Sequence, residues 1–440
     1  MSAPTVTTPT RTWQNWAGNQ RAQVRRIATP AGPAQTAEAV REAVGQGLRV
    51  KPVGAGHSFT AAAATDGVLI RLDQLTRLRS ADRASGLVTV EAGMPLWRLN
   101  ELLAEQGLAL TNMGDIQAQT VSGAIGTGTH GTGRASASIA AQVAGLEIVL
   151  ADGSVVACNA AEHPDLFEAA RIGLGCIGVI TAVTFRTEPT FLLTAQEQPM
   201  PFDRVLDSFD QLCAENEHFE FFWFPHTGSA LVKRNNRAGG PARPLTRRRA
   251  WLEDEFLANT VFAGACRLSR AAPRAVPGIN HLAARALSAR TYTDRSDKVF
   301  TSPRTFKFLE MEYALPRESA ASALREVRRA IDASGLRISM PVEVRVAPAD
   351  ELWLSTAHGR DTAYLAFHMF QGTSPTEYFE IVEAVMVAHD GRPHWGKLHT
   401  RDAAYLAKSY PRFEDFLKVR DKTDPDRVFG NAYSRRVLGS

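Results

Sequence analysis

Two glycine clusters limit what this chain folds into more than any other feature. The first spans Pro52 to Phe59 and contains Gly54, Ala55, Gly56, His57 and Ser58, a glycine turn with one histidine at its exit. Gly54 and Gly56 permit backbone angles closed to other residues and let amide N–H groups approach a ligand closely, the way loops cradle a pyrophosphate. Ser58 adds a hydroxyl donor. The second cluster, residues 120–133, carries five glycines and five hydroxyl residues. That is too many for a helix or a packed strand, so it reads as a loop. Two such loops suit a long, phosphate-bearing cofactor.

Neither cluster fits the dinucleotide fingerprint, with three glycines at fixed spacing opening a helix, or the P-loop with its Gly-Lys-Ser/Thr. Nicotinamide and ATP are therefore disfavoured. From spacing alone the commoner reading of His57 is a loop histidine capping nearby carbonyls.

The chain has 440 residues, enough for two to three domains with a large core. A net charge of +4 does not argue for nucleic acid. The densest basic run, residues 243–249, lies in a Gly/Pro-rich stretch without interleaved aromatics and reads as a solvated loop. Four cysteines are scattered, with no Cys-x-x-Cys pair and no histidine at ligand spacing, so free thiols and no metal site are expected. Residues 1–9 lack the basic start and apolar core of a signal peptide, and no apolar run approaches a membrane span. A cytoplasmic protein without an integral membrane segment is the expectation.

Val40 and Val44, four apart, predict one apolar face of a helix from about 33 to 44. Residues 48–53 alternate as a strand leading straight into the first glycine turn. Further strands are expected at 67–72, 87–92, 143–150, 155–157 and 179–185, with helices at 96–106 and from Pro164. The mixture suits an α+β domain. After Glu188-Pro189 the composition turns aromatic, which places a domain boundary there. A helix over 318–334 stops at Gly335 and leads into a strand over 336–346. In that strand the valines alternate with Glu343 and Arg345, so both charges leave the same face.

On the two glycine clusters, the stretch 173–181, Pro393-His-Trp-Gly-Lys397 and Phe429-Gly-Asn-Ala-Tyr433, the chain resembles the vanillyl-alcohol-oxidase type of FAD enzyme, with its PCMH-type flavin domain. Within that type it is similar to the sugar-1,4-lactone and alditol oxidases. The resemblance covers nearly the whole chain. It implies an FAD-binding domain over 1–188, a cap domain over 189–400 and a segment 401–440 returning to the flavin domain. It also implies FAD joined covalently through His57, and no second, cysteinyl link.

Flavin contacts then fall to Gly54, Ala55, Gly56, His57, Ser58 and Phe59 in the first cluster. In the second they fall to Val121, Ser122, Gly123, Gly126, Thr127, Gly128, Thr129, His130 and Gly131. Gly178, Val179, Ile180 and Asn431 complete the set, with Gly114 and Asp115 at the edge where oxygen reacts. Gly114 favours oxygen access, and Asp115 replaces the serine of the alditol oxidases, tilting the substrate toward an aldonolactone.

By the same resemblance Glu343 and Arg345 face the flavin from the cap and Lys397 is a third polar contributor; apart from it, His368 in Phe367-His-Met-Phe370 is a second base candidate, where a core histidine is the commoner reading. Removing a hydride from a carbinol carbon builds charge on the substrate oxygen and the flavin, which a fixed cation offsets by about 3–4 kcal/mol. Arg345 and Lys397 suit that role. The expected reaction is oxidation of a gulono- or arabinono-1,4-lactone beside its carbonyl, with the flavin reoxidised by O2 to give H2O2. Alditol oxidation, a dehydrogenase using another acceptor, and a flavin-binding electron-transfer subunit without turnover are the alternatives.

Overall fold

A computed structural model describes residues 11–135 and 138–440; the N-terminal stretch read above for a leader lies outside them. The first half builds a three-stranded and a five-stranded sheet, besides two two-stranded pairs. Val50–Val53 pairs in parallel with Val68–Arg71, which pairs in turn with Arg26–Ala28. An antiparallel sheet of five strands is centred on Val179–Arg186, flanked by Val143–Val149 and Leu87–Glu91. Pro33–Gly45 forms the expected helix, but its buried face is Thr36, Ala37, Ala39, Val40 and Ala43. Val44, on the same side but in the last turn before the helix ends at Gly45, is exposed.

The second glycine cluster departs from its expected loop. Val121–Gly126 is a short helix, capped by the Thr120 hydroxyl accepting from the Gly123 N–H at 3.3 Å. Val121, Ala124 and Ile125 supply a buried face, which outweighs the cost of two glycines over so short a span. The glycines occupy the opposite side, where nothing lies within 4 Å of a Cβ built on Gly126.

The second half is one antiparallel sheet of eight strands. Its central five, in spatial order, are Ser229–Arg237, His218–Trp223, Val342–Ala347, Thr362–Phe370 and Phe308–Pro316. The expected strand over 336–346 begins only at Val342, since Pro341 has no N–H to give a ladder. Helices Ala320–Ser334 and Thr376–Ala388 cover one face, where Phe219, Phe221, Val342, Val344, Met311 and Phe367 interleave. Period-two alternation turns Glu220, Glu343, Arg345, Glu310, Glu312 and His368 to the other face, toward the first half. Residues 403–438 form helices whose Leu406, Phe413, Phe416 and Tyr433 pack into the same core as Val88, Leu146 and Phe185.

The basic run is only partly the expected loop. Thr246 caps a helix that starts at Arg247, so Arg247, Arg248 and Arg249 are helical, though exposed.

Candidate active site

The strand Val50–Val53 delivers the first glycine turn to the edge of a narrow slot. Gly54 to Ser58 line it on one side, Ser122, Gly123, Gly126 and Thr127 on another, and Gly173 to Gly175 with Ile177, Gly178 and Ile180 form its floor. Gly56 takes φ +70°, the left-handed region. A Cβ on Gly54 would lie 2.1 Å from Thr120 Oγ1, so only glycine lets the two clusters meet. The amides of Ala55, Gly56, His57 and Ser58 donate to no protein acceptor among the described residues. A row of unspent N–H donors beside glycines is what an anionic diphosphate needs.

At His57, Ser58, Gln119 and Thr127 the slot runs into a cavity of about 700 Å³ between the two halves. His57 stacks on Trp16 with ring centroids 5.1 Å apart. Burial, with Lys397 nearby, lowers its pKa to about 4, so the imidazole is neutral and keeps a free lone pair at physiological pH. The slot and cavity together fit FAD, with the dinucleotide on the glycines and the ring system in the cavity.

The cavity wall is the charged face of the eight-stranded sheet. Each neighbouring strand contributes a rung. Lys233 lies 3.3 Å from Glu220, Glu220 accepts from Arg345 Nε at 2.9 Å, and Arg345 Nη2 lies 2.6 Å from Glu343. His368 Nε2 then stands 3.9 Å from Glu343 and 3.7 Å from Glu310, and Glu310 pairs with Lys397. Register explains the ladder: Glu220 is opposite both Lys233 and Arg345, and Glu310 is opposite His368. Arg345 and Lys397 thus each already pair with carboxylates, Arg345 with Glu220 and Glu343 and Lys397 with Glu310.

Glu343 is the least satisfied group of the ladder. Its Oε1 is close to Arg345 but out of hydrogen-bonding alignment. Burial, opposed by Arg345 and reinforced by the carboxylates of Glu220, Asp115 and Glu310, raises its pKa to about 7. His368 Nδ1–H donates to the Pro341 carbonyl at 3.1 Å, which leaves Nε2 as a lone pair facing the cavity. Burial lowers its pKa, so it too is uncharged.

Gly114 and Asp115 line the cavity floor. Asp115 accepts from Ser302 at 2.6 Å and lies 3.2 Å from Arg304. Burial opposes its charge, but Arg304, with Arg345 and Lys233 behind it, keeps it below its usual carboxylate range. Phe59, Thr129 and His130 also line this cavity. His130 lies between two acceptors, the Gly131 carbonyl at 2.9 Å and Glu312 at 2.7 Å, and stacks on Tyr364. Burial opposes the charge of Glu312, but His130, with His394 and Lys397 behind it, holds its carboxyl well below the usual carboxylate range.

His394, the third member of this buried group, accepts the Gly396 N–H at 3.0 Å on Nδ1. Of the three, His130 and Glu312 are directly hydrogen-bonded and join the two halves.

Five expected flavin contacts line neither space. Val121 and Val179 are core residues. Gly128, at φ +75°, faces Ile172, and Gly131 faces the Met113 carbonyl. Asn431 caps Ala432–Leu438 and donates to the carbonyls of Ala61, Ala62 and Ala64, tying the last helix to the segment behind the first glycine turn.

Four partners escaped sequence reasoning: Glu220, Lys233, Glu310 and Arg304. A fifth was Lys51, 1% exposed, whose ammonium donates to the Leu174 and Gly175 carbonyls at 3.3 and 3.1 Å. Both carbonyls belong to residues at positive φ, so Lys51 pins the slot floor in its strained turn.

Comparison with known proteins identifies the family. The D-arabinono-1,4-lactone oxidase family profile matches residues 183–437, and an FAD binding domain profile matches 24–159. An L-gulono-1,4-lactone dehydrogenase of Mycobacterium tuberculosis is 40% identical, covering 97% of this chain and 99% of that protein. The L-gulonolactone oxidase of Mus musculus is 33% identical over 97% of this chain and 98% of its own. An alditol oxidase of Streptomyces sp. is 33% identical over 96% and 98%.

Among solved structures, cholesterol oxidase from B. sterolicum superposes with a TM-score of 0.81 at 18% identity, over 99% of this chain and 100% of that one. This last likeness speaks for the fold alone. With the glycine-lined slot opening onto the charged sheet, these matches show that the chain belongs to the D-arabinono-1,4-lactone oxidase family, built on a PCMH-type FAD-binding fold.

Proposed function

We propose that this protein is an FAD-dependent oxidoreductase acting on a sugar-1,4-lactone of the gulono or arabinono type, at the carbinol carbon beside the carbonyl. The observation that carries this reading is the ladder of paired charges lining the cavity into which the slot opens at His57. Bound FAD supplies the hydride acceptor and passes the electron pair on, to O2 with release of H2O2 or to another acceptor. The protein's own part is to hold the ring hydroxyls and take one proton.

Glu343 is the assigned proton acceptor. It is buried and poised near neutrality, while His368 Nε2 lies beside it to receive a hydrogen bond. Arg345 and Lys397 fix the carboxylates and still offer N–H groups to a hydroxyl or to developing negative charge. Asp115 with Arg304 presents a fixed acceptor and donor to a ring substituent, which favours a compact lactone over an open-chain polyol. The lactone names of two relatives agree with that choice; the alditol oxidase keeps the polyol as the competing reading.

FAD is attached through His57 alone. The imidazole is neutral and nucleophilic, whereas all four cysteines are buried and none lines slot or cavity. The flavin half is residues 1–188 and the cap 189–400, with 401–440 returning to the flavin half. No helix among the described residues is long and apolar enough to cross a membrane, and a cytoplasmic location is proposed.

Turnover of purified enzyme on lactones and alditols, with oxygen and a dye run in parallel, tests the assignment. The expected result is preference for a 1,4-lactone; a preference for alditols would replace the substrate and leave the flavin site standing.

A further inference from the structure

Eleven large apolar side chains remain exposed among the described residues, and seven of them fall between Trp251 and Leu282. This stretch is a helical arm. A helix Arg247–Ala250 runs into a π-helix Trp251–Val261, then into Phe262–Ala271, and returns as Val276–Ala286. In a π-helix i→i+5 partners are neighbours, so Trp251 and Phe256 share a side and stack with centroids 5.6 Å apart at 20°. An α-helical period would set them about 140° apart around the axis.

Charge follows the same stretch. Residues 241–290 hold nine arginines against three acidic residues, a net +6 in a chain of net +4, which leaves −2 for all the rest. Two of the three acids are engaged, Glu253 with Arg249 and Arg290 and Asp254 with Arg290, which leaves only Glu255 exposed among the arginines. Arg247, Arg248, Arg267, Arg274 and Arg285 are exposed and have no carboxylate partner among the described residues. Arg247 and Arg248 sit one turn before Trp251. The inner side of the arm is apolar as well, where Leu257, Val261, Phe262 and Ala265 wall the cavity.

We propose that the outer face of this arm docks on an anionic lipid surface, its arginines among the headgroups and Trp251, Phe256, Leu268 and Leu282 at the acyl boundary. Exposed aromatic and aliphatic side chains interspersed with arginine on short helices are the composition of interfacial helices. A second copy is the wrong occupant, because a twofold interface would press a +6 face against its own image.

The test is co-sedimentation of the holoenzyme with vesicles of phosphatidylcholine alone and of phosphatidylcholine mixed with phosphatidylglycerol. The protein is expected to sediment with the anionic vesicles and to be released by high salt. Each arginine near such a surface contributes roughly fivefold to partitioning, so replacing Arg247, Arg248, Arg267 and Arg274 together by Gln should lower it on the order of a hundredfold or more. Trp251→Ser with Phe256→Ser should weaken binding too, while turnover of a soluble lactone with dye stays unchanged.

Equal sedimentation with both vesicle types, no sedimentation, or undiminished binding of the four-arginine variant would overturn the proposal. So would a dimer seen by light scattering that the Trp251/Phe256 variant abolishes, which would give the face to a second copy.

Discussion

Glu343 and His57 show how much one buried side chain's surroundings decide. Glu343 is an ordinary glutamate whose burial among three other carboxylates, offset by Arg345, raises its pKa to about 7. Its basic form therefore grows as pH rises through that value. Flavin reduction by substrate should climb across the same range, and Glu343→Gln should remove the inflection and slow reduction by roughly 10²- to 10⁴-fold. Stopped-flow traces at several pH values check this.

The same shift bears on stability with the opposite sense. The folded state holds the proton over the interval where the unfolded chain has lost it, so this group's stabilising contribution is full at acid pH and fades as pH rises through about 7. At His57, acid-precipitated and washed protein should remain yellow, whereas His57→Ala should release its flavin. Free FAD from the unmutated protein would contradict the linkage. At Gly114 there is little slack, since an added Cβ lies 3.0 Å from the His130 carbonyl and 3.2 Å from Thr129 Cγ2. Gly114→Ala should lower oxygen consumption more than dye reduction; an equal fall in both would mean the loop had moved instead.

At the scale of elements, adjacent strands each set one charge into the ladder. Arg345 bridges Glu220 and Glu343, so Arg345→Ala strands two buried carboxylates, a loss of about 3–5 kcal/mol by the usual cost of breaking a buried pair. The variant should melt at lower temperature, and the pH dependence of flavin reduction should move upward as Glu343 loses its cation. Lys51→Met keeps the stem but leaves the Gly175 carbonyl unpaired, at about 1–3 kcal/mol, and the Leu174 carbonyl with only the weak Cys176 thiol donor. Measured by absorbance, the flavin-loaded fraction should fall.

The alternation at 342–346 announced Glu343 and Arg345 as one face, and their partners stayed hidden. Glu220, Lys233 and Glu310 reach them only through register between strands about thirty to a hundred and twenty residues apart, and no local pattern encodes register. Val121–Gly126 was misread because its glycines look like a loop until the buried face of Val121, Ala124 and Ile125 is seen. The five-residue spacing of Trp251 and Phe256 was invisible to a search at helical or strand periods.

Across the whole molecule the glycine-lined slot and the charged sheet are distant in sequence and are brought together by hydrogen bonds between the two halves. Phe59 N–H donates to the Gly396 carbonyl at 2.7 Å, His130 bonds Glu312, and Asn431 holds the final helix against residues 61–64. These contacts bring His57 and Lys397 into one cavity. The slot was legible from its glycines and the motif order because those chemistries are local; the closure of the cap over it was legible only by resemblance.

The account rests on that joint cavity oxidising a lactone. Under anaerobic conditions, mixing the holoenzyme with L-gulono- or D-arabinono-1,4-lactone should bleach the visible flavin band in a single exponential, far faster than an open-chain alditol does. A flavin that neither lactone bleaches, in protein shown to carry its full complement of FAD, would contradict the account.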